Sequence, residues 1–390
     1  MCNDRVLRQQ PVVLIFLVMC LLGSRFACAA APTVTVVKLP EGCLVPDAVM
    51  DAKGVLHLVF GYNHDALYCQ SPNNGVSFSK PIKLNGPEGV TTTMGERGPK
   101  VALGKEGAIH VCWADRWSPG THVYARYTRS LDGGKTFDPP KAMSDIWGFD
   151  GLTMTADTTG NVLAFWHIND ERKPSEQQAT WLYMTRSTDN GVTFGKGESL
   201  QILGHNGLAC SMCQMRACIT ATGKVCLAFR SASEDIRDMY VLTSAAKENK
   251  FTAVRVNTDA WKIPTCPMCG PELTLTPNGR LLCAFMTSHK VYWALAEAKV
   301  AAFTQHVATP ANEKDEIYPS AFANRKDDIL FLWQVGPMSV ESTAVVKWAR
   351  YSADGKATGE QGTVGTSFSG TKATAIVGTD DNFYILTTAK

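Results

Sequence analysis

The sequence predicts an all-β domain whose short strands are arranged radially or stacked as a sandwich. Three observations lead there. An eight-residue turn motif occurs three times at near-constant spacing. A strand–turn–strand pattern recurs along most of the chain. The composition, 45% apolar with 32 Gly and 19 Pro in 390 residues, provides both a large core and many turns.

In chain order, the first element is a leader. Arg5 and Arg8 precede an apolar run from Val12 to Leu22, and Ala27-Cys28-Ala29 provides small residues for cleavage. The run is short for a membrane span and ends in a small-residue site, so residues 1–29 read as a secretory signal rather than a retained anchor. The expected product is a secreted or periplasmic protein with no membrane attachment after cleavage and one domain over residues 33–390. The 38 Lys+Arg and 36 Asp+Glu give +2. Arg5, Arg8 and Arg25 against Asp4 account for that +2, so the rest of the chain is neutral. A neutral domain argues against nucleic acid or an acidic membrane surface as partner.

Ser71-Pro-Asn-Asn-Gly-Val-Ser-Phe78, Ser130-Leu-Asp-Gly-Gly-Lys-Thr-Phe137 and Ser187-Thr-Asp-Asn-Gly-Val-Thr-Phe194 are copies of one motif, 59 and 57 residues apart. The polar-Gly core suits a tight turn between strands, with Asp or Asn accepting backbone N–H bonds. Ahead of each copy lies an apolar run, a Gly turn and a β-rich run: Ala48–Phe60, Lys100–Trp113 and Leu152–Trp166. The pattern continues without the motif in Met215–Phe229, Glu272–Phe285, Ser320–Trp333 and Ala373–Thr387. Strand Thr33–Lys38 is expected to close the structure against the C-terminal strands.

The three copies resemble the Asp-boxes of sialidase-type (BNR-repeat) β-propellers. The resemblance implies a sialidase-like, six-bladed β-propeller, with the last hairpin leaving seven blades open. In that family the boxes are turn staples on the face opposite the ligand, so they indicate the fold and not the activity. The working face is then built by residues leading into the first strand of each blade and leaving the second. Those positions hold Arg97, Asp150, Asp115, Tyr318 and the segment Arg230–Arg237. Convergent Arg, Asp, Glu and Tyr suit a glycan or another small polar or anionic ligand. Carried over from the family, Arg97, Arg230 and Arg237 would hold a sugar carboxylate, Asp115 would be the acid/base, and Tyr318 the nucleophile with Glu316 or Glu234 beside it. Glu316 and Tyr318 are two apart, so on a regular strand they share a face.

Two Cys-x-x-Cys pairs, Cys210–Cys213 and Cys266–Cys269, lead into neighbouring blades on the same face. Three readings stay open: disulfides at the rim, a soft-metal site for zinc or copper, or a redox dithiol. The segment also resembles a subgroup of BNR-repeat proteins in which a Cys cluster, an Arg-Asp (Arg237-Asp238) and a Cys-Pro-x-x-Gly-Pro run (Cys266–Pro271) occur together. His57 and His110 occupy equivalent strand positions and read as packing residues. The leading expectation is a monomeric glycan-binding or glycan-cleaving propeller, with a metal-binding or redox propeller and a non-catalytic scaffold as rivals.

Overall fold

Alternating apolar and polar residues, broken by Gly turns, fold each repeat into an antiparallel sheet. The computed structural model describes residues 33–388 except 87–90, 117–122, 148–149, 171–178, 246–247, 298–301, 311–312, 338–342 and 369–371. The leader expected over residues 1–29 lies outside the described residues.

Six sheets follow in order. The first contains Leu44–Met50, Leu56–Tyr62, Asp65–Ser71 and Ile82–Lys83. The second contains Lys100–Leu103, Ile109–Ala114, Ala125–Ser130 and Lys141–Ala142. The third starts at Asp150–Ala156 and Val162–Ile168, the fourth at Arg216–Ile219 and Lys224–Arg230. The fifth starts at Glu272–Leu275 and the sixth at Glu316–Ala323. Innermost strands of consecutive sheets touch around a closed circuit, as in a propeller.

The circuit has seven members rather than six. Thr374–Val377 contacts the innermost strands of the sixth and first blades, so it fills a place of its own. It pairs with Phe383–Thr387, which pairs in parallel with Val34–Lys38 from the other end of the chain. This blade has three strands and is split between distant segments, so its hairpin alone looks like half a blade. The expected role of the N-terminal strand in closing the ring holds.

Second strands are buried on both faces; all seven residues of Val162–Ile168 are buried. They therefore read as continuous apolar runs, as doubly covered strands do. The core lies between blades: Trp166 and Tyr183 of the third blade pack with Cys112 and Tyr127 of the second. Cys218 and Cys226 are direct cross-strand partners in the fourth blade.

The three boxes fold alike, each between the third and fourth strands of its blade. Ser71, Ser130 and Ser187 accept the amide N–H of Gly75, Gly134 and Gly191, each at 2.8 Å. Their hydroxyls donate to Asn73, Asp132 and Asp189 at 2.8, 2.8 and 2.7 Å. Each box also packs onto the preceding blade. Phe137 meets the Tyr68 ring edge-on at 4.9 Å, and Phe194 meets Tyr127 at 4.9 Å. Those tyrosine hydroxyls bond His57 Nδ1 at 2.7 Å and His110 Nδ1 at 2.6 Å, so both histidines are buried packing residues. Burial, reinforced by the Arg129 guanidinium, pushes His110 down to about 4.

At Gly134 this inter-blade contact leaves no room for a side chain. Its φ is +84°, and an added Cβ would lie 2.1 Å from the Tyr68 hydroxyl oxygen. Its neighbour Gly133 has φ +75° and open space around the same position. Both Gly→Ala changes therefore carry a backbone cost of about 1 kcal/mol, and only Gly134→Ala adds a clash. Thermal melts should show Gly134→Ala lowering Tm clearly more than Gly133→Ala; equal effects would remove the packing role assigned to the box.

Candidate functional site

The face opposite the boxes carries a cleft of about 620 Å³ over blades two and three, with its far wall formed by Met212 and Gln214 ahead of blade four. Its polar lining includes Arg97, Asp115, Arg116 and Asp150, and its apolar lining includes Met94, Val123 and Leu152. Asp115 closes the second strand of blade two: its amide bonds the Tyr124 carbonyl, and its own carbonyl accepts the Thr92 hydroxyl at 2.9 Å. Its carboxylate receives both bonds from Arg126 Nε, at 2.9 and 3.1 Å. Arg97 makes a fork to Asp150 at 2.6 and 3.0 Å and donates to the Met212 carbonyl at 3.0 Å.

The surroundings of the two carboxyls shift their pKa values in opposite directions. Burial raises the Asp115 pKa despite Arg126. Burial also opposes charge on Asp150, but Arg97 holds its pKa below the usual carboxylate range. One cleft thus holds two carboxyl groups whose proton affinities are pushed in opposite directions.

Of the seven residues assigned to catalysis from sequence, Arg97 and Asp115 line this cleft and the others do not. Arg230 is 1% exposed. Its guanidinium donates to the carbonyls of Cys269 at 3.1 and 2.8 Å, Arg237 at 2.6 Å and Met286 at 2.9 Å. Arg237 is fully buried and donates to the Ile263 carbonyl at 3.2 Å and Asp235 at 3.2 Å. Both hold loops together, so the expected three-arginine clamp does not assemble. Glu234 is exposed on a short 3-10 turn with φ +54°.

Glu316 and Tyr318 do not share a face. Tyr318 has φ +50° within a bulge between Ile317 and Ser320, which breaks the two-residue alternation. Glu316 turns to the Thr309 hydroxyl at 2.6 Å and the Val291 amide at 3.2 Å. Tyr318 instead lies beside Gly95 and Glu96, and its amide donates to Cys269 Sγ at 3.4 Å. Burial raises its pKa, with Glu96 adding to the effect.

The cysteines also divide. Sγ atoms of Cys210, Cys213 and Cys266 all lie within 4.8 Å of one another, with Cys213 and Cys266 at 3.6 Å. Cys269, expected as a fourth member, is engaged with the Tyr318 amide and is not in the cluster. Hydrogen bonds from the Cys210 and Cys213 thiols lower the Cys266 pKa. The nearby His167 bonds the Cys213 carbonyl at 3.2 Å and Thr180 at 2.9 Å.

Beneath these groups, at the axis, is a charged layer that sequence reasoning missed. Arg216 bridges Asp47 at 2.7 Å and Glu272 at 2.7 Å. Lys372 bridges Glu96 at 3.3 Å and Glu272 at 3.2 Å. Lys100 lines the same small cavity, so three acidic and three basic side chains meet there. Cross-strand register shows a common origin. Asp47, Lys100, Thr153, Arg216, Glu272, Ser320 and Thr374 sit opposite Val59, Cys112, Phe165, Ala228, Ala284, Leu332 and Leu386, one place per blade. All seven are polar. That periodic polar position, twelve residues before its partner in every repeat, was the available signal.

No protein-family model matches the sequence, and no curated protein matches it. Among solved structures, the chain is similar to a protein of unknown function from Dyadobacter fermentans, with a TM-score of 0.55 and 15% identity over 77% of this chain and 93% of that one. It is similar to an α-L-arabinanase of Penicillium chrysogenum complexed with arabinobiose, at TM-score 0.55 and 12% identity over 83% and 98%. A GH93 α-L-arabinofuranosidase of Fusarium graminearum, also with arabinobiose, gives 0.54 and 13% over 83% and 98%. At these identities the likeness is one of fold: the chain is a seven-bladed β-propeller.

Arg216 bridges two carboxylates of the axial layer at 2.7 Å each. Burial opposes its charge, yet Asp47 and Glu272 hold its pKa above the usual value. Removing one partner from a buried ion network leaves uncompensated charge and costs about 3 kcal/mol or more. Arg216→Met should therefore lower the midpoint of denaturant unfolding strongly, while Lys356→Met, at an exposed pair, should leave it nearly unchanged. An unchanged Arg216→Met midpoint would show that the layer does not stabilise the ring.

Proposed function

We propose that the protein acts on a glycan bound in the cleft over blades two and three, with Asp115 as general acid/base and Asp150 as the ionised partner. The observation that carries this is the pair of carboxyl groups in one cleft whose surroundings push their pKa values in opposite directions. Such divergence is how one site keeps a proton donor and an anion together near neutral pH. The mixed lining supports a sugar, whose hydroxyls hydrogen-bond charged side chains while its C–H faces rest on Met94 and Leu152. The Penicillium and Fusarium proteins, an arabinanase and an arabinofuranosidase by name, carry this fold, which makes glycans the first ligand class to test.

An exo-α-sialidase is the narrower form of the reading. Arg97 supports it as a guanidinium at the cleft, and Tyr318 beside Glu96 is the pair that would supply a nucleophile and its base. The engagement of Arg230 and Arg237 with loop carbonyls leaves the sugar carboxylate with fewer partners, so a neutral or weakly charged glycan is the better-supported substrate.

Hydrolysis of a panel of arabinan oligosaccharides, aryl glycosides and sialosides tests the proposal. Asp115→Asn keeps the shape of the side chain and removes its proton exchange, so kcat should fall about 100-fold or more with a small change in KM. Tyr318→Phe should leave turnover unchanged where Asp115 and Asp150 do the work, and should abolish sialoside cleavage where the narrower form holds. Full turnover in Asp115→Asn would sink the acid/base assignment, and absence of binding to every panel member would sink the glycan reading.

A further inference from the structure

We propose that Cys210, Cys213 and Cys266 form a three-thiolate site for a thiophilic d10 cation, Zn2+ or Cu+, separate from the glycan cleft. The geometry comes first. Three sulfurs, contributed by two loops 53 residues apart, lie within 4.8 Å of one another. Zinc–thiolate bonds of about 2.3 Å place the sulfurs of a tetrahedral site about 3.8 Å apart. The Cys213–Cys266 separation is 3.6 Å. A disulfide would join two of the three and leave the remaining thiol buried against it, whereas a cation uses all three.

The loops are held as a metal site requires. Arg97 grips the first Cys-x-x-Cys loop through the Met212 carbonyl at 3.0 Å. Arg230 grips the second through the Cys269 carbonyl at 2.8 and 3.1 Å. Both guanidiniums are close enough to interact with the sulfurs, so they offset the negative charge of a thiolate cluster. Cys266 Sγ also accepts the Met268 amide at 3.4 Å, the kind of bond that favours an ionised sulfur. Met268 reaches that position with φ +47°, so the loop is shaped around the sulfur.

The ligand set is specific. Cys269 bonds the Tyr318 amide, and both His167 nitrogens are engaged with Cys213 O and Thr180, so neither completes the site. Cys266 is the only partly exposed member of the three. The fourth position of a tetrahedral ion would thus face outward beside Cys266, and a trigonal Cu+ would need no fourth ligand. Each thiol that binds releases its proton to solvent.

The test uses the full chain, reduced and kept under anaerobic conditions. Zn2+ and Cu+ are titrated separately against a chromophoric chelator, with stoichiometry read by native mass spectrometry. Co2+ replacing Zn2+ reports thiolate ligation through its sulfur-to-metal charge-transfer band and needs no variant. One equivalent of either cation is expected. Cys213→Ser and Cys266→Ser should weaken it by at least 100-fold, while Cys269→Ser and Cys283→Ser bind as the parent does. Circular dichroism on each variant separates ligand loss from unfolding. Retention of Zn2+ alone or Cu+ alone identifies the ion and supports the site in either case. The proposal is overturned if the reduced protein binds neither ion, or if Cys269→Ser loses metal as Cys213→Ser does. It is also overturned if the isolated protein carries a Cys213–Cys266 disulfide that reduction cannot convert into a metal site.

Discussion

The structure depends on keeping charge balanced where seven strands converge. Each blade points one side chain at the axis from the same register, and none of the seven is apolar. Two carboxylates meet Arg216, and Lys372 links the second of them to Glu96, so no single pair closes the ring. Buried charges of this kind are a weak source of net stability but penalise any arrangement that misplaces one of them. A slip of the Arg216 strand would part that side chain from Asp47 and Glu272.

The same register organises the surface above. Arg97, Asp150, Cys213 and Cys269 each precede an axial residue by three positions, in four consecutive blades. One place later, Val45, Gly151 and Tyr318 have φ +46°, +62° and +50°, within bulges that lift the chain out of the sheet. Bulges re-aim side chains next to functional surfaces. The cleft and the sulfur cluster are therefore two uses of one repeated device, joined by Arg97, which bonds Asp150 in one and the Met212 carbonyl in the other.

Much of this was legible in the sequence. Period-two alternation and Gly turns gave the strands, and the three boxes fixed which face to search. That filter brought Arg97, Asp115, Asp150 and the two cysteine pairs to one side of the molecule. It failed where the outcome depends on what a long side chain touches. Arg230 and Arg237 sit at loop positions typical of ligand contacts, yet Arg230 spends its donors on main-chain carbonyls, and Arg237 is buried against the Ile263 carbonyl and Asp235. Glu316 and Tyr318 obey the spacing rule on paper, and one residue with positive φ undoes it. The seventh blade escaped because two of its strands come from one end of the chain and the third from the other.

That divided blade has a consequence for the order of folding. Val34 pairs with Phe383, 349 positions later, and the five-residue register between those strands is parallel. During synthesis the blades emerge in sequence, and the second and third boxes can settle on the blade made before them, whereas the first packs onto the seventh. The circle itself stays open until Phe383–Thr387 is made, because its partner Val34–Lys38 is synthesised long before it. Contacts this distant are slow to form and leave strand edges bare meanwhile. For this chain, the vulnerable species is a nearly complete arc, and the step that rescues it is a latch of five residues.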